Sequence, residues 1–267
     1  MVDHSSMKLG KNERRLDQRT MRLGRYLPAV LPVPETLIDY SNGVTDWGLM
    51  LNGPNDYPDP AVKDGLGDCT MAGCAGLIQL ATMNDVTRVP QGMVTPTDAT
   101  VLSYYEKWCG FDPKNPATDE GGVELDVLNL WRQQGFDGHK LLGYAAIDIH
   151  NYRHVQYALN EFNVYLGVEL PVSAQTQDTW DVVSNDGGVW GGHCVTGVGY
   201  NDGDPTSKLI RFRSWGKIME MTIDFWNKYV SEAYALMLED FEGAHSRGPD
   251  GFDLVAWNAD LGSITSA

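Results

Sequence analysis

The sequence predicts an α+β fold, with helices gathered in its first half and antiparallel sheet in its second. Two observations carry this. Apolar and small residues recur at helical spacing in several segments between residues 68 and 162. From residue 164 onward, runs rich in valine, isoleucine and aromatics dominate and are punctuated by turn residues. The order is helices then strands, not the alternation of a doubly wound parallel sheet. With 267 residues, 42% hydrophobic and 21% charged, the chain can bury a sizeable core as one large or two small domains.

Taken in order, residues 8–26 are polar and basic and read as an arm or irregular helix. Pro28, Pro32 and Pro34 make an extended connector, and Trp47 is the first aromatic anchor. Residues 52–60 have loop chemistry throughout. A helix is expected over 68–83, with Asp68 able to cap it. Its small residues Ala72, Gly73, Ala75 and Gly76 let a neighbour pack very close, so it reads as central and buried. Further helices are expected over 98–108, 124–134 (ending at Gly135) and 151–162. Strands are expected over 164–169, 193–200 and 208–215, the last two joined by a turn at 201–205. Residues 229–238 read as a helix end running into a strand, the acidic run 239–242 as a solvated end, and 248–267 as an extended tail strapped to the body through Phe252 and Trp257. The resulting division is an arm and connector (1–45), a main domain (46–245) and a tail (246–267).

The net charge is −16, yet residues 8–25 hold seven cations against Glu13 and Asp17, leaving −21 on the remainder. An acidic body argues against nucleic acid as its partner, and the arm is expected to pack on that body or be solvated. The apolar runs are short and interrupted, so no transmembrane helix is expected. Residues 1–25 show no apolar stretch of the secretory kind, which suggests a location in the cytoplasm of a bacterial host or in a virion. Cys69, Cys74, Cys109 and Cys194 are expected as reduced thiols. No pair has CxxC spacing, so neither a metal nor another cofactor is expected. Cys74, Cys109 and Cys194 read as core residues, and His139, His150 and His154 as surface residues.

Chemistry concentrates in two segments. In Gly65-Leu66-Gly67-Asp68-Cys69-Thr70, a glycine-rich turn delivers Cys69 to the first turn of the central helix. Free N–H groups and the partial positive charge there favour a thiolate and can bind a developing oxyanion. A charge on Asp68 would oppose this by raising the thiol's pKa. In Gly191-Gly192-His193-Cys194-Val195, a histidine opens a strand behind two glycines that permit close approach. Pairing with the following strand brings His193 near Ser214 to Gly216, although the register is open. A nucleophile and a base with an orienting neighbour make a catalytic pair.

Together, the Gly-x-Cys helix start, the Gly-Gly-His-x-Val strand and Phe212-x-Ser214-Trp215-Gly216 resemble the papain-like cysteine peptidases. The order Cys, His, then a Ser-Trp-Gly motif is the same, and the resemblance spans residues 47–238. A closer resemblance is to a group of bacterial and phage papain-like proteins, carried by Met50, Asn52, residues 67–72, residues 191–195 and the ending Met221-Thr222 through Tyr234. The resemblance implies a papain-like fold with Cys69 as nucleophile and His193 as general base. Trp215 would shield the histidine, and Gly121 and Gly122 would line the substrate cleft. Two positions depart from the pattern. Arg213 stands where the orienting asparagine is expected, leaving Ser214 as the nearest polar substitute. Lys63 stands six residues before the cysteine where a side-chain oxyanion donor is expected, so Lys63 or a folded-back Asn52 would serve.

The function these features imply is a thiol-dependent hydrolase, peptidase or isopeptidase, acting through an acyl-enzyme on a protein or peptide substrate. The alternative is a catalytically impaired papain-fold binding or structural protein, such as a phage particle component with a protein partner. Acyl transfer of the transglutaminase kind ranks behind both, because Asp202 and Asp204 lie in the turn, away from His193.

Overall fold

The computed structural model describes residues 3–84, 92–204, 206–242 and 249–265. Pro205 of the expected turn and residues 248, 266 and 267 of the expected tail lie outside these. In chain order the elements are a single 3-10 turn (Leu23–Arg25), β1 (Leu37–Asp39), α1 (Cys69–Asn84), α2 (Asp98–Cys109), α3 (Glu124–Gln134), β2 (Leu141–Ala146), α4 (Tyr152–Glu161), β3 (Asn163–Pro171), β4 (Thr179–Trp180), β5 (Val189–Asn201), β6 (Leu209–Ser214), β7 (Lys217–Thr222), α5 (Ile223–Tyr229), β8 (Val230–Leu238), α6 (Glu239–Glu242) and α7 (Leu254–Thr265).

The fold is α+β, as expected, around one sheet ordered β2-β8-β3-β5-β6-β7-β4, with β1 added to β5. All these pairs are antiparallel except the short β4–β7 pair. Both faces of the sheet are covered. Val164, Leu166 and Val168 of β3 pack into a core with α4, α5 and Trp180, while Tyr165 between them packs into a second core with α1, α2 and α3. A strand buried on both faces reads as a continuous apolar run, which is why β3 shows no clean alternation.

Helix α1 is the centrepiece. Its first fourteen residues are all buried, as a helix apolar on every side must be. The small residues set its distance from the sheet: a Cβ on Gly73 would stand 2.8 Å from Cys194 Sγ, and one on Gly76 would stand 2.9 Å from Thr196 Oγ1. Thus α1 rests directly on β5, and its N-terminus fixes the position of Cys69.

Three expectations need correction. The stretch 8–26 forms no helix beyond one 3-10 turn; it runs over the body and buries Met21, Leu23 and Tyr26. The stretch 248–267 contains a helix, α7, and is not extended, although Phe252 and Trp257 do anchor it. His139 and Asp240 are not solvated: His139 Nδ1 meets the buried Asp240 carboxylate at 2.6 Å. Trp257 is fully buried, edge-on to Tyr26 at 5.2 Å, and its ring lies where a Cβ on Gly143 of β2 would fall. Trp257→Ala should therefore cost about 3–5 kcal/mol and lower the thermal midpoint by roughly 10 °C, read by calorimetry.

Candidate active site

Cys69 opens α1 and is 1% exposed. The backbone N–H groups of Cys194 in β5 and Gly10 in the arm act on its thiol. Burial pushes its pKa up to about 12, and these two N–H groups pull the other way. Asp68, the preceding residue, is fully buried, and burial holds its carboxyl well above the ordinary range despite the hydrogen bond from Asn52. Charge on Asp68 acts with burial to raise the thiol's pKa.

His193 lies in β5, 1% exposed, and its Nε2 meets Ser214 Oγ of β6 at 2.7 Å. Its Nδ1 is buried and has no hydrogen-bond partner among the described residues. Burial, then the Arg213 charge, then His4, lower its pKa to about 3. In this state both the thiol and the imidazole are therefore neutral at ordinary pH.

The β6–β7 connection explains how the histidine is capped. Ser214 pairs with Lys217, leaving Trp215 and Gly216 as a two-residue loop, both with positive φ (45° and 73°). Hairpins of this kind need positive φ at both positions, and a tryptophan there is unusual. The result places the Trp215 ring on the His193 ring, with centroids 4.6 Å apart and planes 19° apart. His4 of the arm stacks on Trp215 at 4.4 Å.

Strand alternation separates the roles of Arg213 and Ser214. Ser214 faces His193. Arg213 faces α1, where its guanidinium donates to Ala72 O at 3.0 Å and Gly48 O at 2.8 Å. Arg213 thus ties β6 to α1 and to the Trp47 loop and does not orient the histidine by contact. Of the two candidate oxyanion donors, Asn52 is the buried one, its Nδ2 reaching Leu66 O at 3.4 Å and Asp68 Oδ1 at 3.3 Å beside the start of α1. Lys63 is exposed and lines an open cavity of about 540 Å³ with Lys8, Lys11, Trp190 and Gly192.

Residues 8–12 of the arm run between Gly121-Gly122 and Gly191-Gly192, with one isolated parallel bridge from Lys11 to Gly122. Gly122 N donates to Gly10 O at 2.8 Å, Asn12 N to Gly122 O at 2.9 Å, and Lys11 N to Gly192 O at 3.0 Å. Contact is so close that a Cβ on Gly10 would fall 1.8 Å from Gly67 O, on Gly121 2.0 Å from Gly10 O, and on Gly192 2.1 Å from Lys11 O. Gly121 and Gly122, expected to line a substrate cleft, are covered by the chain's own residues 10–12. Charge pins the arm: Lys8 meets Asp119 at 2.8 Å, Arg15 meets Asp126, and Lys11 meets Glu169 at 2.8 Å. Sequence reading singled out none of His4, Gly10 and Lys11. The available signal was the opposition of a cationic arm to an acidic body, with one glycine between two lysines.

No protein-family model and no curated protein matches the sequence. Solved structures do. Xylellain, a cysteine protease from Xylella fastidiosa, superposes with a TM-score of 0.52 at 14% identity, over 86% of this chain and 96% of that one. The bromelain protease from Ananas comosus, solved with the E64 inhibitor, gives 0.52 at 15% identity, over 77% of this chain and 100% of that one. Digestive procathepsin L 3 from the larval midgut of Tenebrio molitor gives 0.55 at 13% identity, over 87% of this chain and 76% of that one. The chain has the papain-like fold.

Proposed function

We propose that the protein is a thiol-dependent hydrolase of peptide or isopeptide bonds, acting through an acyl-enzyme on Cys69 and held closed by its own residues 8–12. The observation that carries this reading is the His193–Ser214 contact on Nε2, which leaves Nδ1 as the free, buried nitrogen. With Nε2–H donating to Ser214 Oγ, the Nδ1 lone pair takes the Cys69 proton. The thiolate attacks the substrate carbonyl, and the oxyanion is received by the Cys69 N–H and by Asn52 Nδ2. The imidazolium then protonates the leaving amine. Water, activated by the same nitrogen, releases the acid and regenerates the thiol. Trp215 excludes water from the imidazole.

The test is hydrolysis of a fluorogenic peptide library by the full chain carrying Gly10→Val, which clears the cleft, with and without Cys69→Ala. Turnover is expected in the first, with a loss of at least about a thousandfold on adding Cys69→Ala. Equal turnover in both would overturn the mechanism. A second reading, a papain-fold binding or structural protein such as a phage particle component, is favoured by Arg213, whose charge works against protonation of His193. Tight peptide binding without turnover in the cleared variant would select it.

A further inference from the structure

Beside the cleft lies a side pocket that the chain fills with Lys11. Gly167 of β3 forms one wall: a Cβ there would stand 2.3 Å from Lys11 Cε, 2.7 Å from Glu232 Cγ and 3.0 Å from Glu124 Oε1. The ammonium donates to Glu169 Oε1 at 2.8 Å and to Asn12 O at 3.0 Å, and it forms an ion pair with Glu232 Oε1 at 3.1 Å. The Lys11 side chain is 0% exposed and that of Glu232 1%, whereas Glu169 is 41% exposed at the rim. Two of the carboxylates are set in place by neighbours: Tyr234 Oη donates to Glu232 Oε2 at 2.7 Å and Ser231 Oγ to Glu169 Oε1 at 3.3 Å. Glu124 is fully buried, and neither of its oxygens receives a hydrogen bond from nitrogen or oxygen among the described residues.

Three carboxyl groups around one buried cation are more than a single docking contact requires. Once Lys11 leaves with the arm, Glu169 and Glu232 lose the ion-pair partner they have among the described residues. An unpaired buried charge is costly, so an entering cation is favoured and an apolar or acidic side chain is not. Depth and width select within the cations. The four-carbon stem of lysine reaches past Gly167, where a Cβ would fall 2.3 Å from its last methylene, and a compact ammonium suits that narrow space better than the wider guanidinium fork.

We propose that this pocket, built from Glu124, Gly167, Glu169 and Glu232, is a substrate subsite for a lysine side chain, and that Lys11 occupies it as a stand-in. The proposal rests on the reading of the cleft as a hydrolase site, but its test does not require turnover. The full chain carrying both Gly10→Val and Cys69→Ala is titrated with a fluorescein-labelled peptide copying residues 7–13. The same peptide is made with methionine, arginine or glutamate at the place of Lys11. Fluorescence polarisation should show the lysine peptide binding about thirtyfold more tightly than the methionine peptide, with the preference lost when Glu232→Gln is added. Equal affinities, or a preference that survives Glu232→Gln, would overturn it.

A second measurement avoids the arm-cleared variant. In the full chain carrying Lys11→Ala, n-butylammonium at millimolar concentration should raise the thermal midpoint, and 1-butanol at the same concentration should not. Equal shifts from both would count against an ammonium site. Lysine-peptide binding without hydrolysis in the Cys69-bearing Gly10→Val chain would keep the subsite and sink the hydrolase reading. Hydrolysis without lysine preference would do the reverse.

Discussion

Iodoacetamide should label Cys69 at least about a hundredfold faster in the full chain carrying Gly10→Val than in the parent at pH 7.5. The expectation follows from two observations. Gly10 passes so close to Gly67 that any side chain there collides with backbone, which cannot yield, so residues 8–12 must leave the cleft. Their departure uncovers a thiol that is 1% exposed and whose pKa is pushed up to about 12, by burial foremost. Moving a thiol from that value toward the ordinary one raises its thiolate fraction at pH 7.5 by roughly three orders of magnitude, and the nucleophile falls by less as basicity declines. The pH profile carries a second signature. In the parent the labelling rate should keep climbing beyond pH 10, because the thiolate forms only near 12; in the variant it should level off well below that. Adding His193→Ala should take away most of the gain, since the imidazolium formed beside the thiolate supports it. Peptide mapping separates Cys69 from Cys109, the half-buried free thiol. If the variant labelled no faster than the parent, the arm would not be what conceals the nucleophile.

That prediction depends on residues the sequence did not point to, and the reason is physical. Cys69, His193, Ser214 and Trp215 lie in motifs with local character: a glycine-rich helix start, a strand opened by two glycines, a two-residue hairpin loop. Local chemistry is legible without knowing the fold. Helix α3 could be bounded correctly at 124–134 for the same reason, ending as it does at Gly135. Strand β2 was not legible. Leu141-Leu142-Gly143-Tyr144-Ala145-Ala146 is rich in small residues and pairs with β8, nearly a hundred residues away, while Trp257 packs over Gly143. Nothing in its own composition favours a strand; burial by distant partners decides. The arm is a further case. Seven cations in 8–25 could be solvated or docked, and what distinguishes the two is the position of distant carboxylates, Asp119 on Lys8, Asp126 on Arg15, and Glu124, Glu169 and Glu232 around Lys11. Burial alone would lower the Lys11 pKa, yet these carboxyl groups leave it raised. Long-range electrostatic pairing of this sort has no signature in either partner's local sequence.

Arg213→Met should lower stability by about 3 kcal/mol while making His193 easier to protonate. The two effects come from opposite ends of the same side chain's environment. Toward α1, the guanidinium donates to Ala72 O and Gly48 O in a site where it is 3% exposed. Leaving two buried carbonyls without donors costs about 1–3 kcal/mol each, offset in part by no longer burying a cation. Burial already holds the Arg213 pKa down to about 10, a sign of how unfavourable that charge is where it sits. Toward β5, the same charge is the second cause, after burial, of the His193 pKa near 3. A histidine lowered in the folded state destabilises the fold as pH falls from 6.5 toward 3, because the unfolded chain takes up the proton over that window and the folded chain does not. Removing Arg213 should narrow that window from its lower end, so the parent should lose stability more steeply on acidification than the variant. Urea denaturation at pH 7 measures the loss of the ties, and the same titration repeated between pH 6.5 and 4 measures the change in slope. In the cleared background of Gly10→Val, Arg213→Met should also raise Cys69 labelling at pH 6, since an imidazolium that forms more readily supports the thiolate. A variant equally stable at pH 7 would show that the guanidinium is not a structural tie. One that labels more slowly at pH 6 would show that its charge does not oppose an imidazolium–thiolate pair of His193 and Cys69.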